Sequence, residues 1–315
     1  MAILPPSFEQ SVILFLLMAV GFAAGKTGLL KGDTLKALSR FLLDFTLPAL
    51  IVVSMQRPFT AELRDQALRV LGLSALVYGA SFPLAYAISS LYRRASPEEI
   101  GVHRFAMCFS NVSFIGFPVA EAVLGRESLF MVSIYNIPFQ LLAFSVGIAL
   151  ITGKRQKNVV EGRPVAGRRP LHALKALANP AILSAFVGFA FFLLSIRVPE
   201  PFSSAMELLG ETTTPLAMVV IGASLAAARI RGVAGNPRLW LTTAYRLAGF
   251  PLVVYAGARV LGLEGLELAV PVLIAAMPVA ANTTILAGVY GGDTVSASAL
   301  VFMSTLISLV SIPLI

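Results

Sequence analysis

The sequence predicts an all-α membrane protein of ten transmembrane helices, arranged as two inverted five-helix repeats. Of its 315 residues, 57% are hydrophobic and only 13% are charged, about half the charged share of a soluble domain. A helix needs about 20 apolar residues to cross a bilayer. Ten such stretches lie near residues 8–25, 36–56, 68–91, 104–124, 128–152, 174–195, 204–227, 239–261, 267–290 and 295–315.

Short motifs recur in the same order in both halves of the chain. Val20–Ala23 returns as Val187–Ala190, and Phe82–Leu84 returns as Phe250–Leu252 at almost the same spacing. Further pairs in the same order are Asp44 with Glu211, Pro48 with Pro215, Asn111 with Asn282, and Phe130 with Phe302. Collinear repetition in an apolar chain is typical of secondary transporters.

The number of spans determines how the halves are related. Each half holds five spans, and an odd number makes the second half enter the membrane from the opposite side. The sequence therefore predicts a first repeat over 1–151, a basic cytoplasmic linker over 152–173 and a second, inverted repeat over 174–315.

The net charge of +8 indicates how the chain is oriented in the membrane, and does not indicate a nucleic-acid partner. With the N-terminus outside, most of the 24 Lys and Arg residues fall in loops that face the cytoplasm, as the positive-inside rule requires. We therefore expect an integral protein of the cytoplasmic membrane with both termini outside, lipid as its surroundings and no nucleic acid as partner.

Cysteine and histidine usage argues against a metal centre. Cys108 is the single cysteine, and His103 and His172 have no metal-ligand spacing. We expect neither a metal nor a cofactor.

Spans four and nine each carry a proline beside an asparagine and hydroxyl side chains. Proline removes one intrahelical hydrogen bond, and a broken helix in a membrane is tolerated where it lines a cavity. The N-terminus of a half-helix then favours an anion. The predicted substrate site comprises Asn111, Ser113, Gly116 and Pro118 in span four, and Pro278, Asn282 and Thr283 in span nine. The alternative is that both prolines only kink packed helices.

Two acids occupy equivalent positions in the halves, and buried acids in membranes are functional candidates. Asp44 lies in span two and Glu211 in span seven. Each also has a local explanation. Arg40 stands four residues before Asp44 and can pair with it on one helix face, while Glu211 lies near the end of its span, where it can reach water.

Three further polar residues inside spans are candidates. Arg246 in span eight either faces an anionic substrate or, the interpretation we favour, pairs with an acid inside the protein. Glu121 is either a proton or cation site or an interface residue. Asn136 lies on span five, where with Gln140 it shares a helix face that points to the cavity or to a neighbouring helix.

The order and placement of several motifs resemble the auxin efflux carrier family, which includes plant PIN-type carriers and bacterial organic-acid permeases. The likeness covers essentially the whole chain. The motifs that carry it are Asn111-x-Ser113-x-x-Gly116-x-Pro118, Asn179-Pro180-Ala181-Ile182, Ala276-Met277-Pro278 and Asn282-Thr283.

The resemblance implies a fold similar to bile acid:sodium symporters. Spans one, two, six and seven would form a scaffold, and the other six a moving core in which broken helices four and nine cross. It also implies an anionic substrate, such as a carboxylate, near Asn111 and Asn282, and an elevator-like slide of the core. By analogy, we also expect a homodimer.

The leading prediction is therefore a secondary carrier for small organic anions, with proton or sodium coupling left open. A sodium-coupled symporter of the bile-acid type is the runner-up, since Asn111, Ser113, Glu121 and Thr283 offer oxygen ligands. A membrane receptor that binds the same ligand without flux is a further alternative. An intramembrane enzyme that uses Asp44 and Glu211 as an acid pair is disfavoured, so no enzyme is expected.

Overall fold

The computed structural model describes residues 6–152, 180–227 and 235–314, and within these ranges the regular structure is entirely helical. The predicted linker, apart from Thr152, and the start of predicted span six lie outside the described residues. Ten helices, two of them interrupted, follow one another in these ranges. They are α1 (Pro6–Lys26), α2 (Gly32–Ser54), α3 (Ala61–Ser89), α4a (Pro97–Cys108), α4b (Val112–Leu124), α5 (Ser128–Thr152), α6 (Pro180–Leu193), α7 (Phe202–Ala227), α8 (237–260), α9a (Gly265–Ala276), α9b (Thr283–Tyr290) and α10 (Thr294–Leu314).

The length and apolar composition of these helices indicate a membrane protein. In the described part of the chain, α2, α3, α5, α7 and α10 are each long and apolar enough to cross a bilayer, and several shorter apolar helices accompany them. Large apolar side chains also point away from the protein, among them Val260, Val295 and Leu314, each more than 70% exposed. An exposed apolar surface of this extent suits hydrocarbon rather than water.

Polar side chains fix where several helices begin. Thr60 accepts a hydrogen bond from the backbone N–H of Leu63 at the start of α3, and Ser96 accepts one from Glu99 N–H at the start of α4a. Asp293 accepts from the N–H groups of Val295 and Ser296 at the start of α10. These side chains satisfy N–H groups that have no partner inside the helix.

Three helices contain a π-helical turn that ends two residues before a proline. The turns are Leu42–Thr46 in α2, Val112–Gly116 in α4b and Tyr245–Gly249 in α8, and the prolines are Pro48, Pro118 and Pro251. A proline has no N–H to offer the carbonyl four residues earlier and its ring crowds that carbonyl. A locally wider turn relieves this crowding, so the helix continues past the proline.

Glycines allow α1 and α7 to pack backbone against backbone. A Cβ at Gly21 would overlap the backbone of Val219, and a Cβ at Gly222 would overlap the carbonyl of Met18. A similar contact joins α6 to α2, where Gly188 lies against Val52 and the side chain of Met55. Small residues at helix interfaces are how membrane helices approach closely.

Candidate functional site

The interruptions of α4 and α9 meet each other inside the protein. Ser110 and Val279 form an isolated antiparallel β-bridge. The backbone N–H of Asn111 donates to the carbonyl of Pro278 at 2.7 Å, and that of Ala280 donates to the carbonyl of Phe109 at 3.1 Å. Backbone N–H and C=O groups that lose their helical partners at one break are thus hydrogen-bonded to the other break. Buried backbone groups need such partners. We call residues 109–111 and 277–282 together the crossing.

Arg246 holds the ends of both half-helices that lead into the crossing. Its side chain is buried, with 1% of the residue exposed. Nε donates to Met277 O at 3.1 Å, and Nη1 donates to Met107 O at 3.0 Å. Nη2 donates to Ala275 O at 2.9 Å and to Ile274 O at 3.5 Å. Arg246 therefore donates to carbonyls at the C-terminal ends of α4a and α9a, where a helix leaves its last carbonyls without helical N–H partners; of these, Ile274 O also accepts from Met277 N–H.

The described residues give Arg246 no acidic partner, although an acid was expected. Among the described residues no carboxylate lies within ion-pair distance of its guanidinium. The physical reason is that the C-terminus of a helix carries about half a negative charge from its aligned peptide dipoles. Two such ends converge on one guanidinium, so carbonyl dipoles take the place of a carboxylate.

The two asparagines of the crossing are used differently. Asn111 is 5% exposed, and its Oδ1 accepts from the N–H of Phe114 at 3.2 Å, which caps α4b. Asn282 Oδ1 is buried without a hydrogen-bond partner, although Asn282 occupies the matching position at the start of α9b. Beside it, Thr283 donates its hydroxyl to Ala280 O at 2.6 Å. The amide oxygen of Asn282 thus has no hydrogen-bond partner in the described part of the chain.

Ser113, Gly116 and Pro118 stand in the first two turns of α4b. A Cβ at Gly116 would come within 3.0 Å of Ile274 Cδ1, so this glycine lets α4b approach α9a. Pro118 does not break α4, contrary to the sequence expectation. It lies beyond the π-helical turn, while the break is at residues 109–111. Pro278 does lie within the break of α9, where its carbonyl accepts from Asn111.

On α5, Asn136 is buried with 3% exposed, and its Oδ1 has no hydrogen-bond partner. Gln140, one turn further along, is also buried. The helix carrying them packs against α9a.

The three acidic candidates have polar partners of their own. Asp44 Oδ2 lies 3.8 Å from Arg40 Nε, the local pairing considered from the sequence. Glu211 Oε1 lies 3.3 Å from Arg126 Nη1. Glu121 Oε2 accepts from the hydroxyl of Thr214 at 2.7 Å, which links α4b to α7.

Comparisons with known proteins agree over nearly the whole chain. The family model described as "Membrane transport protein" matches residues 6–315. A protein of Rhizobium meliloti (strain 1021), provisionally named a malonate transporter, is 26% identical over 287 residues, which cover 89% of this chain and 86% of the relative. Auxin efflux carrier component 5 of Arabidopsis thaliana is 24% identical over 332 residues, covering 96% and 93%.

An uncharacterized transporter of Methanothermobacter thermautotrophicus is similar at 26% identity over 316 residues, covering 98% of this chain and 97% of the relative. These relatives are transporters rather than enzymes. The resemblance inferred from the motifs is thereby confirmed. The chain belongs to the membrane transport protein family, the auxin efflux carrier family, and is a transmembrane transporter.

Proposed function

We propose that this transporter carries small organic anions, with carboxylates as the substrate class, and that the substrate binds at the crossing. The observation that carries the proposal is Arg246, a buried guanidinium whose hydrogen-bond acceptors are all backbone carbonyls. The helix ends compensate part of this charge, but no carboxylate of the described residues pairs with it. Because little water screens a buried charge, it attracts an anion at the crossing.

The other groups of the crossing favour the same sign of ligand. The N-termini of α4b and α9b begin there, and helix N-termini present N–H groups and a positive dipole. The amide of Asn282 can flip end for end to direct its Nδ2 donors toward a carboxylate oxygen. The names of two relatives, a malonate transporter and an auxin efflux carrier, both refer to organic acids.

A pairing of equivalent contacts supports two inverted repeats of five spans each. Gly21 of α1 packs on Val219 of α7, and Gly188 of α6 packs on Val52 of α2. The sequence spacing between the two glycines equals the spacing between the two valines. A two-fold axis that exchanged the halves would relate two such contacts, as inverted repeats require.

In this proposal α1, α2, α6 and α7 form the scaffold, and the crossing moves with α3–α5 and α8–α10. A slide of this core against the scaffold, the elevator mechanism, exposes the crossing to each side of the cytoplasmic membrane in turn. Both termini lie outside, and the scaffold forms a homodimer.

A sodium-coupled symporter is the second candidate, and a specific observation favours it. The Oδ1 atoms of Asn136 and Asn282 are both buried acceptors without partners. Unpaired oxygen atoms inside a protein are costly and suit a hard cation. Sodium binding would satisfy them.

Uptake into liposomes tests both candidates. We expect saturable uptake of radiolabelled malonate or an indole-type monocarboxylate, lost in Asn111→Ala and Asn282→Ala. Asn236→Ala is the matched control, because this asparagine caps the start of α8 outside the crossing. Wild-type flux in folded crossing variants would refute the proposed substrate site. Carboxylate binding without flux would favour a receptor. A sodium requirement for uptake would select the symporter.

A further inference from the structure

The break of α9 has a second attachment, on the side that faces away from α4. In the antiparallel bridge between Ser110 and Val279, the hydrogen bonds come from the flanking residues. The N–H of Val279 itself therefore points away from α4. It donates to Oγ of Ser304 in α10 at 3.0 Å. The α9 break is thus held between α4 on one side and α10 on the other.

The hydroxyl of Ser304 is arranged to accept this hydrogen bond. Ser304 is fully buried, and its Oγ donates to the carbonyl of Val301, one turn earlier in α10, at 3.3 Å. Because the hydroxyl hydrogen is directed into its own helix, the oxygen offers a lone pair to Val279 N–H. Val279 is equally buried, so loss of the hydroxyl would leave this N–H without an acceptor and without access to water.

Side-chain packing joins the same two segments. Val279 belongs to one buried apolar cluster with Leu300 and Met303 of α10. Apolar packing is not directional, whereas a hydrogen bond has a preferred distance and angle. The bond to Ser304 therefore determines where the peptide group of Val279 lies on the surface of α10.

The short segment that follows Val279 transmits this position to Asn282. The backbone N–H and the hydroxyl of Thr283 both donate to Ala280 O, at 3.0 Å and 2.6 Å. These bonds close a tight turn over residues 280–283, which lies directly between Val279 and the first turn of α9b. A turn closed in this way allows little independent movement, so a shift of Val279 also moves Asn282.

We propose that Ser304 is a positioning residue of the substrate site, which fixes the peptide of Val279 and, through the turn that follows, the amide of Asn282. The proposal rests on the proposed function, in which Asn282 binds a carboxylate at the crossing. Ser304 needs no contact with the substrate, because it acts through the backbone. Without its hydroxyl the turn adopts other positions, and the apparent affinity falls with the fraction of chains in the binding-competent one.

Concentration-dependent uptake into liposomes tests this role, with radiolabelled malonate and an indole-type monocarboxylate as the probes. We expect Ser304→Ala to raise KM about fivefold or more, with the maximal rate per folded protein unchanged, because saturating substrate restores the competent position. Ser304→Cys has nearly the same size, and its sulfur is a weak acceptor. It should raise KM less than Ser304→Ala, and it decides the question even if Ser304→Ala fails to fold.

A local measurement and a matched control separate positioning from general stabilisation. Hydrogen exchange of the backbone amides at residues 277–283 should rise in Ser304→Ala, because the turn loses its attachment to α10. Ser308→Ala is the control, since Ser308 is also buried in α10 and its hydroxyl donates to Thr305 O of the same helix at 2.7 Å. This variant should leave both KM and the exchange at residues 277–283 at their wild-type values.

The outcomes separate this proposal from the proposed function. A wild-type KM in both Ser304 variants would overturn the positioning role while the proposed function stands. A lower maximal rate with an unchanged KM would also overturn it, because that pattern means fewer active carriers rather than a displaced site. An equal rise of KM in Ser308→Ala would do the same, since any buried hydroxyl of α10 would then suffice. If the wild-type protein shows no saturable uptake of either probe, both proposals fail together.

Discussion

The breaks in α4 and α9 occupy matching positions in the chain and are built differently. In α4, the side chain of Asn111 caps the next half-helix, and Pro118 lies beyond the break. In α9, Pro278 lies inside the break, Asn282 leaves its oxygen without a partner, and Arg246 binds three carbonyls of the preceding half-helix end. Only one carbonyl of α4a receives the same support.

Under the proposed function, this difference assigns one asparagine to helix stability and the other to ligand binding. The α4 break is stabilised by its own side chain, so its asparagine contributes to stability. The α9 break depends on an arginine from another helix, which leaves its asparagine free. Equivalent sequence positions thus have different tasks, and substitutions should affect them unequally.

Replacing Arg246 should have the largest effect. Arg246→Met removes donors from four buried carbonyls, and we expect the free energy of unfolding to fall by more than about 3 kcal/mol. Thermal unfolding in detergent measures the loss. Hydrogen exchange should rise more at residues 274–280 than at 106–110, because α9a loses three bonds and α4a one. Equal exchange at the two breaks would contradict the asymmetry.

The glycines of the equivalent contacts should rank in a defined order. In Gly21→Ala the new methyl group meets the backbone of Val219, whereas in Gly188→Ala it first meets the flexible side chain of Met55 at 2.9 Å. We expect Gly21→Ala to lower the free energy of unfolding by about 1–3 kcal/mol and Gly188→Ala by less. Gly72→Ala, where nothing lies within 4 Å, is the control. The reverse order in thermal unfolding would show that α6 packs more tightly than α1.

The asparagines of the crossing should separate stability from transport. Asn111→Ala removes a helix cap, and we expect a loss of about 1 kcal/mol of stability together with lower uptake. Asn282→Ala removes a group with no hydrogen bond to its oxygen, so uptake should fall while the unfolding temperature stays unchanged. Unfolding curves and liposome uptake on the same preparations decide the matter. Equal destabilisation by both variants would mean that Asn282 also supports its helix.

Removing the hydrogen bond that links α4b to α7 should lower the stability least. Thr214→Val removes the hydroxyl that donates to Glu121, and we expect a loss of about 1 kcal/mol or less, as for one partly exposed hydrogen bond. Glu121→Gln keeps an acceptor oxygen and should cost less still. Differential scanning fluorimetry can rank the two. Should Glu121→Gln be the more damaging, the charge of Glu121 has a role beyond this bond.

The apolar helices and the break of α9 at Pro278 were predictable from the sequence, because long apolar stretches and a proline inside a helix have local causes. The break of α4 was expected at Pro118 but lies at residues 109–111. The partner of Arg246 was not predictable either. A helix end has no residue signature that identifies its free carbonyls as acceptors, so an acid was expected.

The single arginine at the crossing also bears on how such a chain could have arisen from duplicated halves. In the proposed pair of repeats, Tyr78 is the counterpart of Arg246 in the first half, because it precedes Phe82 by as many positions as Arg246 precedes Phe250. Tyr78 is buried and stacks on Phe109 of the crossing with ring centroids 6.1 Å apart. Two identical halves would bring two arginines together there, and a second buried charge costs several kcal/mol. Divergence at this one position therefore relieves a repulsion that a symmetric ancestor would have had to bear.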